Sequence, residues 1–239
     1  MRSPDTRGMP IRAVLFDKDG TLIDFDRTWG PAVESTLKRL ARGDDALYRE
    51  LSAVSGLQDG ARFLSGSPLI GEPTSVFASL WAKLLGRPAD ASFFGEIDSL
   101  LCGLTTASLV AIGDPKAVLA DLAGRGYRLG LITNDAEATA RDHARKLGLD
   151  RMLSFIAGYD SGFGAKPAPG PVLAFAAAVG VPPAETVVVG DTALDVATAR
   201  AAGARAVMVL TGPKSLDDVQ HAKADAVIPS ISQLPAWLG

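Results

Sequence analysis

Cysteine is almost absent from this sequence, since Cys102 is the one cysteine in 239 residues. A disulfide within the chain is therefore excluded, and we expect Cys102 to be a buried structural thiol in a protein of the reducing cytoplasm. Apolar runs of about 18 or more residues are also lacking, as is the apolar stretch of a secretion signal near the start. We expect no membrane association, and residues 1–10 are predicted to form a loose tail.

Positive charge is not in excess either. The 24 Lys and Arg residues face 27 Asp and Glu residues, which gives a formal net charge of −3. No broad basic field would therefore collect nucleic acid or anionic lipid. The hydrophobic share of 47% predicts a globular fold, in which any handling of phosphate would depend on a few local groups.

Short apolar runs rich in branched side chains, each stopped by polar residues, predict strands. The predicted strands cover residues 11–16, 127–132, 155–157, 186–189, 206–210 and 226–228. Helical patterns lie between them, at residues 114–123, 136–147, 171–179 and 193–202. This alternation predicts an α/β fold, with a doubly wound, Rossmann-like parallel sheet covered by helices on both faces.

Residues 27–109 break the alternation. They offer helical patterns, for example at residues 31–41 and 45–54, but no convincing strand. We therefore predict an α/β core of residues 11–26 and 110–239, with an all-helical insert of residues 27–109. Ligands of such sheets bind beyond the carboxyl ends of the strands, and the insert leaves from that same edge. It is therefore expected to cover the site.

The first predicted strand ends in Asp17-Lys18-Asp19-Gly20-Thr21. A carboxylate such as Asp17 can attack phosphorus, and a second one can protonate the leaving oxygen and then activate water. Gly20 would let the backbone turn tightly around a bound group. Taken alone, the same pentapeptide also fits a plain turn or part of a calcium loop.

A second pair of carboxylates, Asp191 and Asp195, follows the strand at residues 186–189. Several acids at one rim would repel each other unless a cation lay between them, and hard oxygen ligands of this kind suit Mg²⁺. The alternative for Asp191 is a simple helix cap.

Thr133, Asn134 and Lys166 complete the polar set, at another strand end and in a Gly- and Pro-rich loop. A hydroxyl, an amide and an ammonium group could together hold the oxygens of a transferring phosphoryl group. Separately, each of the three residues is more often structural or solvated.

Four ordered segments of the chain carry a family resemblance. They are Phe-Asp-Lys-Asp-Gly-Thr-Leu at residues 16–22, Leu-Ile-Thr-Asn at 131–134, Lys-Pro-Ala-Pro at 166–169 and Gly-Asp-Thr-Ala-Leu-Asp at 190–195. With these motifs the chain resembles the haloacid dehalogenase-like hydrolase superfamily, in its phosphoglycolate phosphatase-like branch. Each motif alone is weak, but the ordered set is specific.

The resemblance implies a magnesium-dependent phosphatase. Asp17 would be the nucleophile and Asp19 the general acid and base, while Thr133 and Lys166 would stabilise the phosphoryl group. Gly20 and Asn134 would also contribute to phosphate binding. The insert would correspond to the mobile cap of this branch.

The resemblance also implies the metal ligands. Mg²⁺ would be bound by Asp17, by the backbone carbonyl of Asp19 and by Asp191, with Asp195 orienting that shell. Phosphoglycolate is the first-choice substrate by resemblance, although Tyr159 stands where a second Gly is frequent in that branch.

Two alternatives to a phosphatase stay open at this point. One is a β-phosphoglucomutase-like phosphotransferase, which shares the four motifs, and the other is a catalytically idle binding or regulatory protein. A dehalogenase is disfavoured because Asp19 is present. The sequence does not fix the oligomeric state, and a homodimer is one option.

The insert also carries a candidate for substrate recognition. Arg62 offers a forked set of donors suited to a carboxylate, and residues 60–67 around it are predicted to reach the site. Trp29 and Trp81 are expected to pack in the core of the insert, whereas His143 and His221 are expected at the surface.

Overall fold

The computed structural model of the protein describes residues 10–212 and 222–239. Most of the predicted tail, and His221, lie outside the described residues.

Six parallel strands form the main sheet, in the order β5-β4-β1-β6-β7-β8. They are Ala13–Phe16 (β1), Arg128–Ile132 (β4), Leu153–Ala157 (β5), Thr186–Gly190 (β6), Arg205–Val209 (β7) and Ala226–Ile228 (β8). The first strand, β1, lies inside the sheet, because it pairs with β4 on one side and with β6 on the other. The strand order thus reverses at β1, and such switch points are where open α/β sheets bind ligands.

The side chains of β1 show why both faces of the sheet are covered. All four residues are buried, and successive side chains point to opposite faces, so that Val14 and Phe16 join one hydrophobic cluster while Ala13 and Leu15 join another. The helices of the α/β part are Pro115–Gly124 (α5), Glu137–Lys146 (α6), Gly170–Val179 (α7), Ala193–Ala202 (α8) and Leu234–Leu238 (α9). Helices α5 and α6 contribute to the first cluster, and α7 and α8 to the second. The predicted fold class is confirmed.

Four helices lie between β1 and α5. They are Phe25–Ala41 (α1), Asp45–Ser55 (α2), Thr74–Leu85 (α3) and Ala91–Ala107 (α4). Their apolar faces form a hydrophobic cluster of their own, which includes the buried Trp29 and Trp81 as expected. A two-residue antiparallel pair, Leu57–Gln58 (β2) with Arg62–Phe63 (β3), interrupts the helices.

Helix α1 begins six residues before the predicted start at residue 31. The side chain of Asp24 accepts a hydrogen bond from the backbone N–H of Arg27, which caps the helix at this earlier point. Pro31 therefore lies inside the helix. No helix among the described residues is long and apolar enough to cross a membrane.

Candidate active site

The loop after β1 brings Asp17 to the carboxyl edge of the sheet. The backbone N–H of Asp17 donates to the carbonyl of Val189 at 2.8 Å, which ties this loop to β6. Gly20 has a φ of +81°, and a Cβ at this position would lie 2.6 Å from Oδ2 of Asp191. Glycine is therefore required here, both for the turn and for the close approach of the Asp191 carboxylate.

Lys166 joins two of the predicted carboxylates. Its Nζ donates to Oδ1 of Asp17 at 2.6 Å and to Oδ1 of Asp195 at 2.7 Å. Asp195 is fixed in turn, since its Oδ2 accepts hydrogen bonds from the backbone N–H and the hydroxyl of Thr192 at the start of α8. All three ion-paired groups are buried.

Asn134 holds the loop that carries Lys166. Its Oδ1 accepts from the backbone N–H of Lys166 at 2.8 Å, and its Nδ2 donates to the carbonyl of Lys166 at 3.0 Å and to that of Gly71 at 2.7 Å. The side chain was predicted to contact phosphate. The structure engages its amide with backbone groups, so that Asn134 positions Lys166 and connects the sheet edge to the loop before α3.

Burial destabilises the ionised form of two carboxylates at this edge, Asp17 and Asp191. Burial, only partly offset by Lys166, raises the pKa of Asp17 to about 7. Burial, followed by repulsion from Asp17 and Asp195, raises the pKa of Asp191 well above its ordinary value. One oxygen from each of Asp17, Asp191 and Asp195 lies within 4.8 Å of the others. A cation bound between these oxygens would favour the ionised forms of Asp17 and Asp191.

The residues around Asp191 fit Mg²⁺. Asp191 is 2% exposed, and among the described residues no cationic side chain is bonded to it. Its Oδ1 has a distant donor, the hydroxyl of Thr21 at 3.5 Å. A Cβ at residue 212 would lie 1.8 Å from Oδ2 of Asp191, so any side chain larger than that of Gly212 would clash with this carboxylate. An under-compensated buried carboxylate beside other hard oxygen donors is the chemistry that Mg²⁺ requires.

Asp19 is held from both sides of the site. Its Oδ2 lies 2.7 Å from the ammonium group of Lys18, and its Oδ1 accepts a hydrogen bond of 2.6 Å from Nε1 of Trp29 in α1. The side chain is 17% exposed, the largest exposure among the carboxylates that follow β1 and β6 in the predicted motifs. A partly exposed carboxyl group next to Asp17 is suited to exchange protons with a substrate.

Lys18 is a site residue that the sequence analysis did not identify. It is 1% exposed, and its Nζ forms an ion pair with Oδ2 of Asp135 at 3.0 Å and lies 5.3 Å from the centre of the Trp29 ring. A signal was present in the sequence, since a lysine between two aspartates just after a buried strand needs buried partners. The partner, Asp135, stands directly after the second motif. Burial raises the pKa of Asp135 to about 6 despite Lys18.

The prediction of a surface position for His143 is wrong. The residue is 1% exposed, with Nδ1 at 3.4 Å from Nζ of Lys18 and Nε2 at 3.0 Å from the hydroxyl of Thr105 in α4. Burial, with the charges of Lys18 and Lys146, lowers its pKa to about 2, so that the ring is neutral. Thr139 and Ala140, four and three residues before it, are buried on the same helix face and could have indicated its burial.

A small cavity of about 40 Å³ lies between the sheet edge and the helical segment. The sheet edge contributes the side chains predicted for catalysis together with their neighbours: Asp17, Asp19, Thr133, Asn134, Asp135, Lys166, Asp191 and Thr192. The helical segment contributes Phe25, Trp29, Leu69, Ile70, Gly71, Glu72, Thr74 and Phe77. The predicted catalytic residues therefore meet in one place.

Arg62 is not brought to this cavity. It is exposed on β3 and lines a separate surface depression with Asp26 and Arg27. Neighbouring side chains of a strand point to opposite sides, and Phe63 points inward, where its ring lies 5.1 Å from that of Phe25. Arg62 must therefore face outward. The loop residues that line the cavity lie within 69–74, and none of residues 60–67 lines it.

Comparisons with known proteins agree with this geometry. Residues 11–203 match the family model of the haloacid dehalogenase-like hydrolases. The chain is 32% identical to a phosphoglycolate phosphatase of Rhodospirillum rubrum, over 95% of this chain and 91% of the relative. It is 30% identical to a plasmid-encoded phosphoglycolate phosphatase of Cupriavidus necator, over 98% and 95% of the two chains.

The fold is also similar to solved structures. A haloacid dehalogenase-like family protein of Streptococcus pneumoniae superposes with a TM-score of 0.69 at 20% identity, over 96% of this chain and 99% of that one.

Proposed function

Because this chain belongs to the haloacid dehalogenase-like hydrolases, in their phosphoglycolate phosphatase-like branch, we propose that it is a Mg²⁺-dependent phosphatase of small-molecule phosphomonoesters that acts through a phosphorylated Asp17. The family and the hydrolysis of phosphoric monoesters agree with the prediction made from the four motifs. The finer assignments, namely the nucleophile, the metal and the substrate, are proposals.

The position of Asp17 is the observation that carries the proposal. One of its oxygens, Oδ1, is held by Lys166, whereas among the described residues Oδ2 has one hydrogen bond, of 3.3 Å, from the hydroxyl of Thr21. One carboxylate oxygen is thus oriented and the other is left to react. The group lies in the wall of the cavity, next to Asp19.

The reaction would follow in two steps. Oδ2 of Asp17 attacks phosphorus, the bond between phosphorus and the ester oxygen breaks, and the departing oxygen takes a proton from Asp19. Asp19 then accepts a proton from water, the water oxygen bonds to phosphorus, and the bond from phosphorus to Asp17 breaks. Inorganic phosphate leaves and both carboxyl groups return to their starting states.

Lys166 and Thr133 would bind the phosphoryl oxygens during both steps. Mg²⁺ would be held by the carboxylates of Asp17 and Asp191 and by the backbone carbonyl of Asp19, with Asp195 fixing Lys166 beside them. When bound, the ion neutralises negative charge on the phosphoryl oxygens. Asp195 has both oxygens engaged by Lys166 and Thr192, which supports an orienting role.

We also propose that residues 27–109 act as a cap domain on a core of residues 11–26 and 110–239. The separate hydrophobic cluster of α1 to α4 supports this division, as does the cavity between these helices and the sheet edge. Closing such a segment would exclude water from the aspartyl phosphate until hydrolysis is due.

The names of the relatives make phosphoglycolate the first substrate to test. The two alternatives predict other outcomes. A mutase would return the phosphoryl group to a second hydroxyl of its sugar and release little phosphate, and an idle binding protein would release none. Phosphate release from several esters therefore distinguishes the three functions.

The decisive experiment traps the intermediate. A single turnover of p-nitrophenyl phosphate with Mg²⁺ is quenched in acid, and borohydride then reduces an acyl phosphate to an alcohol, which converts aspartate to homoserine. Trypsin releases residues 13–18, Ala-Val-Leu-Phe-Asp-Lys, in which Asp17 is the one side-chain carboxyl group. We expect homoserine at position 17 by mass spectrometry.

The matched control is the same treatment with EDTA in place of Mg²⁺, which should leave Asp17 unmodified and stop turnover. Homoserine at another carboxyl position would reassign the nucleophile. Full turnover without metal would contradict the proposed magnesium dependence.

A further inference from the structure

The wall that the helical segment adds to the cavity is mainly apolar. Its hydrophobic side chains are all at most 8% exposed: Phe25, Trp29, Leu69, Ile70 and Phe77. The phosphoryl group must lie against the sheet edge, where Asp17 and Lys166 are placed. This apolar wall therefore faces the alcohol part of the phosphoester, which is the part that differs between substrates.

Carboxyl groups outnumber cationic side chains among the described residues that line the cavity, and the proposed Mg²⁺ would offset only those at the sheet edge. Among the described residues that line it, the carboxyl groups are Asp17, Asp19, Glu72, Asp135 and Asp191, and the one cationic side chain is Lys166. Lys166 already donates to Asp17 and Asp195. Lys18, the nearest other ammonium group, is paired with Asp19 and Asp135. Neither lysine is available to a carboxylate on the alcohol part of a substrate.

Glu72 adds a negative charge on the side of the helical segment. It follows Gly71, whose carbonyl accepts the 2.7 Å hydrogen bond from Asn134, so the backbone beside Glu72 is fixed to the sheet edge. The next lining residue, Thr74, is buried, and its hydroxyl is hydrogen-bonded to Asp98. The polar side chain that this wall offers to a ligand is thus the acceptor carboxylate of Glu72, which suits an amine or a hydroxyl donor.

We infer that the cavity takes phosphomonoesters whose alcohol part is uncharged or amine-bearing, and that it disfavours a carboxylate such as that of phosphoglycolate. This inference rests on the proposed phosphatase function. A carboxylate on the substrate would lose hydration against apolar side chains, would meet no unpaired cation among the described lining residues, and would be repelled by Glu72.

The test compares two- and three-carbon phosphoesters that differ in charge. The probes are phosphoglycolate, 2-hydroxyethyl phosphate, O-phosphoethanolamine and n-propyl phosphate, each assayed for phosphate release with Mg²⁺. We expect kcat/KM for phosphoglycolate to be about tenfold lower than for the other three esters, because its carboxylate alone loses hydration against the apolar wall and is repelled by a like charge.

Glu72→Gln identifies the group responsible. The variant should raise kcat/KM for phosphoglycolate severalfold relative to n-propyl phosphate, and should lower kcat/KM for O-phosphoethanolamine relative to the same ester. Glu50→Gln is the matched control, because Glu50 is an exposed glutamate on α2 that does not line the cavity. It should change none of the four values.

The outcomes separate this inference from the proposed function. Rapid hydrolysis of all four esters with phosphoglycolate equal or preferred would overturn the inference and leave the phosphatase intact. If the ratio of kcat/KM for phosphoglycolate to that for n-propyl phosphate were unchanged in Glu72→Gln, Glu72 would not be the group that disfavours a carboxylate. That result would overturn the inference as stated. No phosphate from any of the four esters or from p-nitrophenyl phosphate would instead reject the phosphatase itself.

Discussion

The two walls of the cavity differ in the polarity of their side chains. At the sheet edge, the polar side chains are buried and bonded to one another, as in the pairs that Lys166 forms with Asp17 and Asp195. The opposite wall, from the helical segment, is apolar apart from Glu72 and Thr74. The side chains proposed for the chemistry therefore come from the sheet edge, whereas the helical segment supplies the apolar side chains on the opposite side of the cavity.

Two hydrogen bonds connect the helical segment to residues of the proposed site: Trp29 donates to Asp19, and Asn134 donates to the carbonyl of Gly71. Other contacts between the two parts lie away from the cavity, such as the 2.7 Å hydrogen bond from Tyr159 to Asp98 in α4. The helical segment thus contributes to the orientation of Asp19, although it carries none of the proposed nucleophile or metal ligands. Substitutions on each wall should separate these contributions.

The largest effect is expected for Asp17→Asn at the sheet edge. An amide is a poor nucleophile, so kcat for p-nitrophenyl phosphate should fall by about 10⁴-fold or more. The fold should persist, since Lys166 keeps Asp195 as a partner. Steady-state kinetics measures the fall in kcat, and circular dichroism checks that the variant is folded.

Asp150→Asn is the matched control for that change, because Asp150 is exposed and does not line the cavity. Its kinetics should equal those of the wild type. Turnover by purified Asp17→Asn within tenfold of the wild type would remove Asp17 as the nucleophile and would place the chemistry elsewhere on this wall.

His143 tests the link between α6 and α4 through stability. Its pKa is about 2 in the folded chain, against about 6.5 for an unfolded histidine. Between about pH 6.5 and pH 2, the unfolded chain therefore binds a proton at this residue that the folded chain does not bind. The free energy of unfolding must fall as the pH drops through this range. At pH 4.5 the loss from this group amounts to about 2 to 3 kcal/mol.

The measurement is urea unfolding at pH 7.5 and pH 4.5 for the wild type and for His143→Gln. Glutamine does not titrate, so the variant should lose about 2 kcal/mol less than the wild type over this interval. The carboxylates titrate in both proteins and cancel in the comparison. Equal losses would show that the ring accepts a proton in the folded state, against the burial beside Lys18 and Lys146.

The contrast between the walls also explains how much the sequence could predict. Asp17, Thr133 and Asp191 each follow the carboxyl end of a strand, and these ends lie at one edge of a parallel sheet. The local sequence patterns alone therefore predict that the three residues lie close together. The burial of His143 is indicated by the helical period, since Thr139 and Ala140 on its face are buried, but the polarity of histidine alone favours the surface.

The helical wall could not be predicted in the same way. Whether Arg62 or Glu72 faces the cavity depends on how α1, α3 and the pair β2–β3 pack against one another, and a one-residue change of register in a strand reverses which side chain points inward. No local signal in residues 60–72 fixes that packing. The forked donors of Arg62 suggested a role that its outward position does not support.

A smaller effect is expected for Trp29→Phe, which keeps an aromatic ring in the helical cluster but removes the N–H that donates to Asp19. The loss of one hydrogen bond to a charged group should lower kcat for n-propyl phosphate by about tenfold. The change for p-nitrophenyl phosphate should be smaller, because its good leaving group needs less help from the general acid.

Trp81→Phe is the matched control, since Nε1 of Trp81 donates to the hydroxyl of Ser55, and Trp81 does not line the cavity. It removes the same group from the same cluster, so it should reduce stability without changing the ratio of the two rates. Equal losses on both esters in Trp29→Phe would mean that the tryptophan shapes the cavity and does not orient Asp19.

The smallest effect is expected for Arg62→Ala. The side chain is exposed on β3 and lies near Asp26, outside the cavity, and exposed charges of this kind contribute little to binding elsewhere on the molecule. We expect kcat/KM for phosphoglycolate and for p-nitrophenyl phosphate to stay within about twofold of the wild type, which is also expected for Arg39→Ala, a matched exposed arginine on α1. A rise in KM for phosphoglycolate alone, absent from Arg39→Ala, would mean that Arg62 reaches a bound carboxylate after a movement of the helical segment. That result would also reverse the inference drawn from Glu72, because the helical wall would then supply the cation that it lacks among the described lining residues.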